Sequence, residues 1–350
     1  MSSKISDFWY TFCPVVCASH IAQNKGWLEE EFAEDGIKLS HISTLPVKDW
    51  QSHFSHKHPQ LFRDGGNIPP IWTRSEGAAT KVIGMVWANG GQAIMVRKDS
   101  LIKSVKDLKG KRVALPRRLS NLIDFRRAVA KRGIIMSLKA HGLTQDDIQF
   151  VDLPIDIPDI ATEKQPPKRT GWAISPETRE KIPQQLEVEA LQNGEVDAIS
   201  SYHGREVVLE QLGVSRIIYN VDKHSDWKYR VNIGYPYICT VNADFATQHP
   251  DLITRWMKVL VRAGIWAKEN YAEVVRIMAK ETNVTEEAVQ KSYPSDFHKH
   301  LVPEISEEGI EALEIEKQFL REHGFINNDF DIRSWLDRSF LDAALKELET

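Results

Sequence analysis

Apolar positions along this chain follow two rhythms. Short apolar runs of strand length lie at Phe8–Phe12, Ile37–Ile42, Lys81–Trp87, Ala93–Val96, Arg112–Leu115, Ile148–Leu153, Val196–Ser200, Arg216–Val221 and Tyr235–Val241. Between several of them, apolar residues recur every three or four positions, the period of one helix face. Leu122, Phe125, Val129, Ile134 and Leu138 show it within a helix predicted over Asn121–His141. Further helices are predicted over Pro14–Phe32, Ile182–Gln192 and Gly204–Leu212, with a short one at Val105–Leu108 stopped by Gly110. From Ile253 onward the chain reads as helix after helix: Ile253–Ala267, Tyr271–Thr282, Glu286–Tyr293, Glu307–His323 and Ile332–Leu348. Strands alternating with helices predict a largely parallel sheet, hence an α/β protein with a helical C-terminal part.

The middle of the chain, residues 100–232, reads as a complete α/β unit inserted into another built from residues 1–99 and 233–350. A ligand would then sit in the cleft between two lobes, at the carboxyl ends of the strands. That layout resembles two-lobed (type II) periplasmic-type binding proteins. Asp107–Val113 and Gly194–Ala198 are similar to the phrases with which those proteins enter second-lobe strands. Between Pro154 and Pro183 the chain is rich in Pro, Lys and Thr, with an irregular insertion at Glu163–Gly171, too long for an ordinary connection and expected to be a functional loop.

Composition narrows the classes. The 350 residues suggest about two domains, and a chain of this size folds without disulfides or a structural metal. With 45 Lys+Arg against 49 Asp+Glu the net charge is −4, which argues against nucleic acid held by a basic surface. No run approaches the roughly 18 apolar residues of a membrane span, and no secretory signal is visible at the amino terminus. A cytoplasmic, monomeric protein with free thiols is expected. The 3 cysteines are no disulfide framework, so each becomes a candidate for chemistry.

Cys13 is the first of these. It falls where the strand Phe8–Phe12 ends and Pro14 opens the predicted helix, where a thiol would face unpaired N–H groups and have its pKa lowered. The alternative is a small buried hydrophobe. Cys17 and Cys239 are expected in the core. His53, His56 and His58 could hold a metal, but no Asp or Glu stands at ligand spacing, and a solvated loop is the simpler expectation; no metal and no cofactor are predicted. Gly65 and Gly66 can turn backbone N–H groups toward an anion, and Arg63 offers a planar fork of donors beside them. Arg117 and Arg118 follow the strand Arg112–Leu115 and would face the cleft, unless they are a solvated pair at a helix entry. Trp87–Gly91 and Tyr202–Arg205 also follow strands and could line it. The basic face Arg126, Arg127, Lys131 and Arg132 reads as exposed helix, and His298 and His300 as surface residues.

Together these residues resemble the 2′-hydroxybiphenyl-2-sulfinate desulfinases, which complete the removal of sulfur from dibenzothiophene. Tyr10-Thr-Phe-Cys-Pro-Val15 looks like the segment around that family's essential cysteine. His53-Phe, Pro59, Arg63 and Gly65-Gly-Asn-Ile-Pro-Pro70 are similar to its second active-site segment. Leu301–Pro303, Gln318–Leu320, Trp335 and Phe340-Leu341 extend the likeness to the far end. The resemblance implies Cys13 as the catalytic thiol, His53 as its hydrogen-bonding partner, Arg63 gripping the sulfinate oxygens and the Gly66 N–H as a further donor. It implies a cofactor-independent enzyme acting on the C–S bond of an aryl sulfinate. Either Cys13 attacks sulfur, or its S–H protonates the ring carbon while sulfur departs. Where the family has small and apolar residues, this chain has Pro116-Arg-Arg118, which points to a substrate with a second anionic group or to a different aryl sulfinate. A non-catalytic binding protein for a small organic sulfonate or carboxylate is the alternative.

Overall fold

A computed structural model describes residues 5–88, 90–156, 160 and 184–349. The strands are β1 (Asp7–Phe12), β2 (Lys38–His41), β3 (Leu61–Gly65), β4 (Thr80–Val86), β5 (Gln92–Arg97), β6 (Arg112–Arg118), β7 (Gln149–Ile155), β8 (Ala198–Tyr202), β9 (Ser215–Asn220) and β10 (Tyr237–Asn242). They form two five-stranded sheets, ordered β2-β1-β3-β10-β4 and β7-β6-β8-β5-β9. The class is α/β, with two lobes and a helical C-terminal part. Most of the Pro154–Pro183 stretch, including the insertion at Glu163–Gly171, lies outside the described residues.

Both sheets are mixed, which corrects the expectation of a largely parallel arrangement. In the first, β1 runs parallel to β2 and β3, whereas β10 is antiparallel to β3 and β4. In the second, β6 runs parallel to β7 and β8, whereas β5 is antiparallel to β8 and β9. The antiparallel member of each sheet enters directly from the other lobe. It therefore reaches the sheet from the cleft side, opposite in direction to strands that end there. Because β5 belongs to the second sheet, the first crossing falls before Gln92 rather than at residue 99.

The first core is built around β1, β3 and β10. Phe8 meets Phe32 edge-on at 4.8 Å, and Phe62 stacks on Trp256 of the long helix Pro250–Glu269 at 4.2 Å. The predicted helix Pro14–Phe32 is two helices, Ala18–Asn24 and Trp27–Ala33, interrupted at Gly26, whose φ of +76° suits glycine. Another helix, Ile68–Ser75, has its prolines in the first turn, where backbone N–H groups lack helical partners anyway. The predicted helix Ile332–Leu348 is likewise divided into Ile332–Trp335 and Ser339–Glu349.

The second crossing is pinned to both lobes. Asn67 donates from its side chain to the carbonyls of Asn232 and Pro236, and Asn232 donates to Gln92 Oε1 at 2.7 Å. A buried ion pair spans the lobes as well, Arg132 Nε lying 3.2 Å from Glu316 Oε2. Arg132 is thus a buried brace and not part of an exposed basic face. Among the described residues no helix is long and apolar enough to cross a membrane.

Candidate active site

The ends of β1 and β3 build the site. β1 and β3 pair in parallel, Phe12 opposite Asp64, and the Cys13 N–H donates to the Asp64 carbonyl at 2.9 Å. After Cys13 the backbone turns, the Val15 N–H donating to the Cys13 carbonyl. Helix Ala18–Asn24 starts only beyond this turn, with Cys17 and not Cys13 as its N-cap. The thiol of Cys13 therefore does not face the helix N-terminus expected from the sequence. Side-chain donors and acceptors surround it instead.

Arg63 Nη2 donates to Cys13 Sγ at 3.2 Å, and His53 Nε2 lies 3.5 Å from the same sulfur. On its far side His53 Nδ1 lies 2.8 Å from Thr11 Oγ1, which fixes the ring plane. Burial, followed by the positive charge of Arg63, pushes the His53 pKa well below its ordinary value near 6.5, so the imidazole is neutral. Arg63 is only 1% exposed, on a central strand whose every residue is buried. Its Nε donates to the His53 carbonyl and its Nη1 to the Gly66 carbonyl, both at 2.9 Å. The guanidinium thus lies beneath Cys13, tying three segments together.

Gly65 and Gly66 have different reasons to be glycine. Gly65 has φ +137°, and a Cβ there would lie 2.4 Å from Cys13 Cβ. At Gly66 a Cβ would lie 2.5 Å from Ile233 Cγ1. Gly65 therefore permits the close approach of Cys13, and Gly66 opens the cavity wall beside it. Asp64 is turned the other way. Burial raises its carboxyl pKa to about 6, against hydrogen bonds from Ser19 and Cys17. Cys17 and Cys239 are both buried, and burial pushes their thiols well up.

A cavity of about 90 Å³ opens in front of Cys13. The first lobe contributes Cys13, His53, Phe54 and Gly66, and the second contributes Phe125, Arg126, Tyr202, His203 and Arg205. Ile160, Ile233 and Tyr237 complete its largely apolar walls. Tyr237 OH lies 3.1 Å from His203 Nε2. The sequence brought Tyr202–Arg205 to the cleft correctly. It did not single out Tyr237, Ile233 or Phe125, and it put Arg126 on the outside. The signal available for these residues was position alone: Tyr237 is the first residue of an incoming strand, and Phe125 and Arg126 open a helix after β6.

Arg117 and Arg118 are not among the residues lining this cavity. β6 continues through both, with Arg117 opposite Pro154 and Arg118 opposite Ile155, so the chain has not yet turned toward the cleft. Arg117 is exposed and pairs with Asp152 at 3.5 Å, while Asp152 also takes Arg127 at 2.8 Å. The Arg118 N–H donates to Asp124, the N-cap of helix Phe125–Lys139. Among the described residues no three potential metal ligands converge. His56 is buried with φ +51°, its pKa lowered to about 4 by burial, and His58 packs on Trp9.

The fold and the cleft define a two-lobed protein of the periplasmic-binding-protein-like class, and the chain matches the NMT1/THI5-like family over residues 14–164. The resemblance read from the motifs extends over the whole length. The chain is 25% identical to a 2′-hydroxybiphenyl-2-sulfinate desulfinase from Rhodococcus erythropolis, across 99% of this chain and 95% of that one. The crystal structure of a cysteine-to-serine mutant of DszB in complex with biphenyl-2-sulfinic acid superimposes with a TM-score of 0.79. It is 26% identical and covers 98% of this chain and all of that one. The periplasmic sulfonate-binding protein SsuA from Methylobacillus flagellatus KT shares the fold, with a TM-score of 0.73 at 20% identity over 99% of this chain and 96% of its own.

Proposed function

We propose that the protein is a cofactor-independent desulfinase that cleaves the C–S bond of an aromatic sulfinate and releases sulfite. The observation that carries this reading is the contact set around Cys13 Sγ, with Arg63 at 3.2 Å and a neutral His53 at 3.5 Å, opening onto an aromatic-walled cavity. A passive binding site has no use for a thiol held by a buried guanidinium. The full-length similarity to a sulfinate desulfinase supports the same reading. The overall reaction balances as ArSO2⁻ + H2O → ArH + HSO3⁻.

Of two routes, protonation of the ring carbon fits this environment better. Attack by a thiolate on sulfur would bring two anions together in an apolar cavity, at a high electrostatic cost. In the protonation route the Cys13 S–H gives its proton to the ring carbon as the C–S bond breaks. The bond's electrons form the new C–H bond, and sulfur leaves as SO2, which water converts to bisulfite and a proton. Cys13 is left as a thiolate facing Arg63 Nη2, a donor already in place for the charge that develops there. His53, neutral and oriented by Thr11, relays the proton released by hydration of SO2 back to the Cys13 thiolate. The Gly66 N–H is assigned to a sulfinate oxygen. We further propose that the enzyme is a cytoplasmic monomer, where a reducing environment would keep its thiols free.

Incubation with 2′-hydroxybiphenyl-2-sulfinate and other aryl sulfinates, with sulfite as the readout, tests the reading. Sulfite release supports it. Absence of release on every aryl sulfinate, together with tight binding of a sulfonate, would replace it by the binding-protein alternative that the sulfonate-binding neighbour represents. Rapid quenching should find no SO2 adduct on Cys13; an accumulating adduct would favour attack at sulfur.

A further inference from the structure

The cavity in front of Cys13 is lined by two cations and, among the described residues, by no carboxylate. Both cations, Arg126 and Arg205, come from the second lobe, opposite the reacting thiol. Arg205 follows β8 directly and is half-buried. Its guanidinium lies 5.4 Å from the centre of the Tyr202 ring, and it forms no ion pair among the described residues. The other arginines around the cleft are committed: Arg63 to Cys13, His53 and Gly66; Arg127 to Asp152; Arg132 to Glu316. A guanidinium on the wall of a largely apolar cavity that no carboxylate lines is placed to meet an anion entering it.

We propose that the substrate carries a second anionic group, remote from the sulfinate, and that Arg205 binds it. This rests on the desulfinase reading, in which Cys13 and Gly66 take the sulfinate. The arene would lie between Phe54, Phe125, Ile160 and Ile233, and its far substituent would meet the second lobe. A carboxylate suits this position best, because the planar fork of arginine matches its two oxygens. The substrate class is therefore a carboxylated aryl sulfinate and not a simple biaryl monoanion. The second charge foreseen from Pro116-Arg-Arg118 returns here on different residues.

The test uses the Cys13→Ser protein, which binds without turnover, titrated with biphenyl-2-sulfinate and with a series of carboxy-substituted biphenyl-2-sulfinates. At least one carboxylated ligand should bind about 10- to 100-fold tighter than the parent, the range of a charged hydrogen-bonded contact. Adding Arg205→Met should abolish that gain and weaken the carboxylated ligand about 10- to 100-fold more than the parent, while Arg205→Lys, keeping the charge, retains part of it. Thermal melting checks that each variant is folded. Equal affinity for parent and every carboxylated ligand overturns the proposal. So does an equal loss on both with Arg205→Met, which would give Arg205 to the sulfinate itself. Sulfite release by the unsubstituted protein from the same compounds separates the two claims. Release without carboxylate preference removes the second-anion site alone. Preference without release removes the desulfinase reading and leaves a receptor for dianions.

Discussion

The two lobes are built on one plan and carry different halves of the site. Each sheet places two parallel neighbours beside its central strand, then an antiparallel strand arriving from the other lobe, then an edge strand. Equivalent strand ends face each other across the cleft. In the first lobe β3 ends in Gly65-Gly66, with φ +137° at Gly65; in the second β8 ends in His203-Gly204, with φ +59° and +86°. The first lobe spends its strand ends on a polar cluster in which His53 bonds Thr11, Cys13 and Arg63, and Arg63 bonds Cys13. The second presents aromatic surface and cations that are not locked under a thiol. On the proposed reading this is a division of labour: one lobe holds the reacting atom, and the other selects what is brought to it.

The comparison can be broken at several points, and the largest expected effect is at the thiol. Cys13→Ser should lower the rate of sulfite release by about 10²–10⁴-fold, the contribution of a positioned proton donor, with the melting temperature unchanged. Near-normal release from this variant would move the chemistry away from the first lobe altogether.

Gly65→Ala comes next. It forces a Cβ against Cys13 in a backbone region that costs an L-residue about 1–3 kcal/mol, so both activity and the thermal midpoint should fall. A fully active, equally stable Gly65→Ala protein would show that Cys13 does not need the close approach seen here.

A smaller effect concerns pH. Because burial and Arg63 keep His53 neutral well below 6.5, kcat/KM should show no acid limb near pH 6.5. The sign for stability follows from the same shift. Below about 6.5 the unfolded chain takes up a proton that native His53 refuses, so acid destabilises the fold; above 6.5 both states are neutral and His53 contributes nothing. Asp64 works in the opposite sense. Its native carboxyl holds a proton up to about 6 that the unfolded chain releases near 3.8, so its contribution is lost as pH rises between those values. Chemical denaturation of His53→Gln and Asp64→Asn across pH 4–7 should separate the two slopes; parallel curves for both variants and the parent would contradict the assignment.

The smallest effect is expected at Arg117. It is exposed and paired with an Asp152 that Arg127 also holds, so Arg117→Ala should change stability by no more than about 0.5 kcal/mol and ligand affinity hardly at all. A marked loss of affinity would bring β6 back into the site.

Much of the chemistry was legible in the sequence, and the misses have specific causes. β3 was not predicted because Leu61-Phe-Arg-Asp-Gly65 puts two charged residues in a central strand, which looks like a loop until their partners are known. Arg63 was expected to hold substrate because guanidinium beside Gly-Gly matches an anion site. In the fold, three of its five N–H groups reach Cys13, His53 and Gly66, a bracing role that the sequence did not show. Arg117 and Arg118 were expected at the cleft because the strand was read as ending at Leu115, whereas pairing with β7 carries it three residues further, to Arg118.

By itself the sequence determined what local pattern and residue type can carry. Periodicity gave an α/β chain of two units, and the spacing of Cys13, His53, Arg63 and Gly65-Gly66 marked the candidate site. Tertiary structure decided which neighbours those groups meet. It set Arg63 against the Cys13 thiol, reversed β5 and β10 within their sheets, and turned Arg126 and Arg205 inward while Arg117 stayed in solvent. The reason is physical. Backbone propensity and hydrophobic period act over a few residues, whereas the desolvation and pairing of a charge depend on groups that only the folded chain brings within 3 to 4 Å.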